Sequence, residues 1–499
     1  MRVIGNFIDG EHRTGDAARR TDVFAPDTGE VQAQVALSTP RDLDEAVAVA
    51  AAAQRGWAAT NPQRRARVMF RFKELIEREM DTLAAMLSRE HGKVISDAKG
   101  DIQRGLDVVE FTCGIPHLLK GEHTEGAGPG IDVYSMKQPL GVVAGITPFN
   151  FPAMIPLWML APAIACGNAF ILKPSERDPS VPLRLAELAI EAGLPRGVLN
   201  VVQGDKAIVD AICDHRDIKA VSFVGSSDVA NYVYGRGAAA GKRMQCMGGA
   251  KNHGIVMPDA DVDQAVADIL GAAYGSAGER CMALPVVVPV GAATAEAVRS
   301  ALVREIAGLR VGTSNDPDAH YGPLVTAAHR SRVEAYIAMA VEEGAELVVD
   351  GRGFALQGYE QGFFMGPTLI DHVRPDHRSY VEEIFGPVLQ ILRADTLEEA
   401  IGHATRHQYG NGAAIFTRSG GAARAFAARV EAGMVGINVP IPVPVSYHSF
   451  GGWKRSGFGD LNQYGTDGIR FYTRTKTVTQ RWPADDSVAQ SSFVIPTMN

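Results

Sequence analysis

The chain has 499 residues, 46% hydrophobic and 21% charged, with a formal net charge of −8, values of a soluble globular protein of two to four domains at roughly 150 residues each. No block of Lys and Arg stands out, which argues against nucleic acid or an anionic membrane surface as the main partner. The five cysteines (Cys113, Cys166, Cys213, Cys246 and Cys281) are odd in number and lack CxxC spacing, so a disulfide framework or a zinc site is not expected and a reducing, cytoplasmic setting is.

The N-terminus, MRVIGNFIDGEHRTGD, has no apolar signal core and no Arg/Ser-rich transit character. Between residues 64 and 89, Val68, Phe72, Leu75, Ile76, Met80, Leu83 and Leu87 recur at helical spacing, predicting one long amphipathic helix. A second helical pattern covers 97–119. The longest apolar run, FPAMIPLWMLAPAIAC at 151–166, contains three prolines and is about one turn short of a bilayer span, so it reads as a buried helix. Beyond Gln138 short apolar runs (GVVAGIT, NAFILKP, GVLNVVQ, AVSFVGS, HGIVM) alternate with helical segments beginning near residues 151, 181, 206 and 228. That rhythm indicates βαβ units and a parallel sheet covered on both faces. A second alternating region runs from about 261 to 439, with helices expected at 263–274, 328–344, 397–407 and 421–432 and strands in VVVPV, ELVVD, VLQILRA, AAIFT and VGINV. The segments 126–137 and 468–482 read as strand-like pieces outside both cores, the second as an edge strand.

Ligands of parallel sheets bind beyond the carboxyl ends of the strands, and those ends carry the polar motifs. In TPFNFP, Asn150 is either a turn residue or an amide donor to a developing oxyanion. In ILKPSE, Lys173 and Glu176 are a surface pair or a ribose clamp. In FVGSSD, Gly225 and Ser226 stand where a helix begins, which suits a pyrophosphate on exposed N–H groups or a simple N-cap. Cys281 follows Arg280 in GSAGERCMAL; it is either a small buried hydrophobe or a nucleophile whose thiolate the guanidinium favours. GRGAAAGK at 235–242 lacks Walker spacing and reads as a helix end. HATRH at 403–407 lacks the glutamate of a zinc protease, and no GxGxxG occurs.

Taken in order, TPFNFP, LKPSE, FVGSS, GGAKN, GERCM, EEIFGPV and FGGWKRSGFGD resemble the aldehyde dehydrogenase superfamily over essentially the whole chain. The resemblance implies an α/β fold with a modified Rossmann NAD-binding domain (1–125 and 138–249) and an α/β catalytic domain (250–455). A small β oligomerisation domain (126–137 and 456–499) would complete a homotetramer, a dimer of dimers. By motif, Cys281 is the nucleophile, and Asn150 with the Cys281 backbone N–H forms the oxyanion hole. Thr147, Phe149, Gly225 and Ser226 line the cofactor site, Ser226 at the pyrophosphate. Lys173 and Glu176 hold the adenosine ribose, Glu383 and Phe385 the nicotinamide ribose and ring, and no metal is implied.

One departure selects a branch. Most members open an ELGGK-like motif with the glutamate that activates water; here the string is MGGAK and the position is Met247, which cannot accept a proton. This, with GAKNHG, PIPVPVSYHSFGG and FYTRTKTVTQRW, is similar to the CoA-acylating methylmalonate-semialdehyde dehydrogenases. There two arginines bind the substrate carboxylate, matching Arg104 and Arg280, and coenzyme A accepts the acyl group to give propionyl-CoA or acetyl-CoA. A hydrolytic aldehyde dehydrogenase and a non-catalytic dinucleotide-binding protein are the alternatives.

Overall fold

A computed structural model describes residues 1–14 and 18–482; the last part of the expected C-terminal arm lies outside them. The long helix expected at 64–89 is two helices, Pro62–Arg78 and Met80–His91, meeting at Glu79 with φ −99° and ψ 14°. Asn61 caps the first by accepting from the Arg64 N–H, and Glu79 ties the junction to Arg184 on helix Ser180–Glu191. The next helix, Ile95–Cys113, stops before Gly114, and only a short turn, Ile115–Leu118, continues it. Pro116 has no N–H to extend the ladder.

An eight-stranded sheet follows in the order Gly457–Phe458, Arg243–Met247, Ile218–Val224, Val142–Ile146, Ala169–Lys173, Leu199–Val201, Asn6–Ile8 and Glu11–Arg13. Its five central strands are parallel. The 151–166 run forms helix Met154–Ala165, buried at every residue. Strand Arg243–Met247 was not anticipated; it pairs with Ile218–Val224 so that Met247 lies opposite Val224.

The second sheet has seven strands: Glu346–Val349, Thr368–Asp371, Val388–Ile391, Val286–Pro289, His253–Val256, Gly412–Phe416 and Met434–Ile437. HGIVM, which in sequence closes the first alternating run, is an inner strand of this second sheet. Strand Thr368–Asp371 and helix Ala292–Ile306 were also unforeseen. Strands His123–Gly128, Ile131–Pro139 and Thr473–Arg481 form a separate antiparallel sheet. The tail expected as strand from 468 begins instead as helix Gly465–Phe471. Among the described residues no helix is long and apolar enough to cross a membrane.

Candidate active site

The carboxyl ends of strands Val142–Ile146, Ala169–Lys173 and Ile218–Val224 open into a groove of ≈ 330 Å³. Thr147, Phe149, Asn150, Lys173, Glu176, Gly225, Ser226, Cys281, Glu383 and Phe385 all line it. Every cofactor position expected from the motifs therefore converges on one place. Ile146 and Lys173 are register partners, and the Thr147 N–H donates to the Lys173 carbonyl at 3.1 Å.

Lys173 Nζ stands 2.9 Å from Glu176 Oε2. Burial opposes ionisation of Glu176, but the lysine's charge and hydrogen bond prevail and hold the carboxyl below its usual range. Helix Ser227–Ala239 points its N-terminus into the groove, and the Ser226 side chain makes no capping bond. Ser227 does the structural work instead, accepting from Gly249 N–H at 2.8 Å and donating to the Arg455 carbonyl at 2.7 Å.

Glycines keep the groove floor bare. A Cβ on Gly248 would meet the Arg455 carbonyl at 2.5 Å, and one on Gly249 would meet a Glu383 carboxylate oxygen at 2.4 Å. Glu383 accepts from the Ala250 N–H at 2.8 Å, and burial pushes its carboxyl up to about 7. Phe385 adopts φ +63°, a strained value for a non-glycine, and its carbonyl is 2.7 Å from His329 Nε2. Exposed N–H groups at a helix start, with a carboxylate at either end for ribose hydroxyls, fit a dinucleotide.

Cys281 follows a tight turn, Gly275–Gly278, in which Ser276 and Ala277 have φ +55° and +53°. Its carbonyl accepts from Asn252 Nδ2 and Asn411 Nδ2, each at 3.1 Å. The Asn150 amide donates to the Glu279 carbonyl at 3.0 Å, two residues before the thiol. Burial, then the nearby Glu383 charge, push the Cys281 thiol up to about 12, and Arg280 opposes this only weakly. The expectation that the Arg280 guanidinium favours the thiolate holds in direction, but burial outweighs it and the guanidinium is paired with Asp97 at 2.6 Å.

A second cavity, ≈ 360 Å³, opens on the other side of Cys281 and contains Arg104, Arg280, Asp97, Asp101 and Met247 among apolar walls from Phe151, Trp158 and Phe450. Arg104 donates to the Val443 and Pro444 carbonyls at 3.2 and 3.1 Å, so it is no free helix-surface charge. Both cavity acids are engaged: Asp97 by Arg280, and Asp101 by Lys93 at 3.4 Å and the Met154 N–H at 2.7 Å. Motif reading missed Lys93, Asp97, Asp101, Asn252 and Asn411. Asn252 stood inside GGAKN and Asp101 opened DIQRGLDVVE, the string that carries Arg104, whereas Lys93, Asp97 and Asn411 carried no motif signal.

The family model "Aldehyde dehydrogenase family" matches residues 12–478. The chain is 54% identical, over all of both proteins, to a malonate-semialdehyde dehydrogenase of Pseudomonas aeruginosa. It is 49% identical to a mitochondrial acylating methylmalonate-semialdehyde dehydrogenase of Arabidopsis thaliana, covering 99% of this chain and 81% of that one. A crystal structure from Sinorhizobium meliloti, of a protein assigned as a methylmalonate-semialdehyde dehydrogenase and complexed with NAD, superposes with TM-score 0.96 at 62% identity over 97% of this chain and 99% of that one. With its ordered motifs converging on one thiol and its whole length matched, the chain belongs to the aldehyde dehydrogenase family.

Proposed function

We propose that the protein oxidises malonate semialdehyde or its methyl homologue and passes the acyl group to coenzyme A, releasing carbon dioxide. The observation that carries this reading is the shared cavity: Cys281, Arg104 and Arg280 line it together, and Met247 stands where a water-activating glutamate is usual. The relatives named for malonate and methylmalonate semialdehydes support it. Arg104 and Arg280 bind the substrate carboxylate, for which arginine's planar fork is suited. The Cys281 thiol gives up its proton to water in the groove, its sulfur attacks the aldehyde carbon, and the Asn150 amide with the Cys281 N–H stabilises the oxyanion. Bound NAD supplies the hydride acceptor, with Lys173, Glu176, Ser226, Glu383 and Phe385 holding it.

Cys281 is then left as a thioester carrying a β-carboxylate. Loss of carbon dioxide leaves electrons that delocalise into the thioester carbonyl, and the enolate takes its proton from cavity water, so no dedicated protein acid is needed. Without a base to deprotonate water, the acyl group waits for the coenzyme A thiol. In the cavity that holds Arg104 and Arg280 the hydrolytic alternative would fall to Asp97 or Asp101, and both are tied, Asp97 to Arg280 and Asp101 to Lys93 and the Met154 N–H.

The test is NADH and product formation with methylmalonate and malonate semialdehydes, with and without coenzyme A. Acyl-CoA formed only with coenzyme A is expected; free acid formed at an equal rate without it would overturn the acylating reading. Undiminished NADH production by Cys281→Ala would refute the nucleophile. We further infer a cytoplasmic homotetramer and the three-part domain division expected from the sequence, with its bounds moved so that Gly457–Phe458 stays with the first sheet and the arm holds His123–Gly128, Ile131–Pro139 and Thr473–Arg481. Sedimentation at a dimer or monomer mass would overturn the tetramer.

A further inference from the structure

Lys93 is a buried charge beside the site for which this reaction scheme has no use. Its side chain is fully buried, and an ammonium out of water is costly unless several groups receive it. Nζ donates to the main-chain carbonyl of Asn150 at 2.7 Å, stands 3.4 Å from Asp101 Oδ2, and lies 4.3 Å over the Phe151 ring. Asp101 in turn accepts the Met154 N–H at 2.7 Å, at the start of helix Met154–Ala165. Lys93 and Asp101 thereby tie the TPFNFP loop to helix Ile95–Cys113, which also carries Arg104 one turn further along.

We propose that Lys93 is a positioning residue for the oxyanion donor. The inference rests on the reading of Asn150 given above. An asparagine amide has two N–H donors, and the Glu279 carbonyl takes one at 3.0 Å. With the Asn150 peptide held by Lys93 and one N–H held by Glu279, the second N–H is fixed before negative charge develops on the substrate. Preorganisation of this kind is what makes such a donor effective. Because Arg104 rides on the same helix as Asp101, the link also sets the distance between the carboxylate anchor and the carbonyl.

The experiment is a double-mutant cycle on the pre-steady-state NADH burst, using Asn150→Ala, Lys93→Met and both together. Loss of one oxyanion donor costs about 10²–10³-fold, and Lys93→Met should lose about 30-fold or more of the burst rate. In the Asn150→Ala background it should cost less than about 3-fold further, since coupled residues are not additive. Alkylation of Cys281 by iodoacetamide forms no oxyanion, so it should stay within about twofold; a merely structural collapse would move it. Lys93→Gln, which keeps a donor without the charge, should recover part of the burst and carries the same comparison where the methionine variant does not fold. Losses that multiply, or a burst within about threefold of the parent, would overturn the proposal. Failure of the underlying reading shows separately, as absence of a burst in the parent protein with either a semialdehyde or a simple aldehyde.

Discussion

Replacing Met247 by glutamate should turn an acyl-transferring enzyme into one that also hydrolyses. Met247 ends strand Arg243–Met247 and reaches the cavity that holds Cys281, Arg104 and Arg280. That cavity measures ≈ 360 Å³, and at about 30 Å³ for each water it has room for roughly a dozen. Dryness therefore does not protect the thioester; the missing base does. A positioned general base contributes about 10²–10⁴-fold, so Met247→Glu should raise coenzyme A-independent acid release by at least about 100-fold. The first NADH burst should stay close to the parent's, because attack and hydride transfer precede the step being changed. The new carboxylate also faces two arginines, so the semialdehyde KM should rise. The assay follows NADH and free acid together in the absence of coenzyme A, where the parent should give one burst and stop. Acid release unchanged from the parent, with the burst intact, would refute the argument that Met247 decides the fate of the thioester.

The Arg104 side chain donates to two main-chain carbonyls and, among the described residues, to no acid, so Arg104→Met leaves no acid unpaired. A hydrogen bond to a charged group is worth about 1.5–3 kcal/mol, so kcat/KM for the semialdehyde should fall about 10–150-fold, with that for propanal unchanged. An equal loss for both substrates would remove Arg104 from carboxylate binding. Glu279 is fully buried, and desolvation raises its carboxyl from 4.5 to about 8. The folded state thus binds this proton more tightly than the unfolded chain, and stability falls as pH climbs from about 4.5 through about 8. Glu279→Gln keeps an acceptor for the Val325 N–H and removes this dependence, a gain of at most about 5 kcal/mol at pH 9 at 1.36 kcal/mol per unit. Urea midpoints for parent and variant should agree near pH 4 and separate by pH 9; parallel curves would contradict it.

The strands that deliver Thr147, Lys173 and Gly225 were legible because parallel strands buried on both faces are continuous apolar runs. Arg243–Met247 broke that rule: Gln245 is fully buried, its amide donating to the Leu461 and Asn462 carbonyls at 2.9 and 2.5 Å. A polar residue satisfied by a distant loop looks like a gap in the pattern. The helix break at Glu79 was invisible for the opposite reason, since Phe72 and Ile76 before it and Leu83 and Leu87 after it are all buried and keep the helical stripe. In the tail, Ile469 and Phe471 alternate as a strand would, yet they are buried from one short helix. Lys93 and Asn150 meet across 57 residues, a juxtaposition that local pattern cannot express. The small and glycine residues before Cys281 did announce a tight turn, found at Gly275–Gly278, although its left-handed residues include Ser276 and Ala277 as well as Gly278.

Charge balance links the missing base to the choice of substrate. Arg104 and Arg280 bring two positive charges to the cavity, Asp97 cancels one at 2.6 Å, and Asp101 is matched by Lys93. One positive charge is left over for water or a ligand to answer, and a carboxylate matches arginine's planar fork better than water does. A substrate bearing a single carboxylate restores neutrality; a neutral aldehyde does not. A glutamate at 247 would have supplied that negative charge from the protein itself, competing with the substrate for the same arginines. Methionine there has two consequences from one side chain: it leaves water without a base, and it adds no further acid to compete with a carboxylate that arrives with the aldehyde. The specificity for a carboxylated semialdehyde and the need for a second thiol are on this argument one property of the cavity, so exchanging residue 247 should move both together.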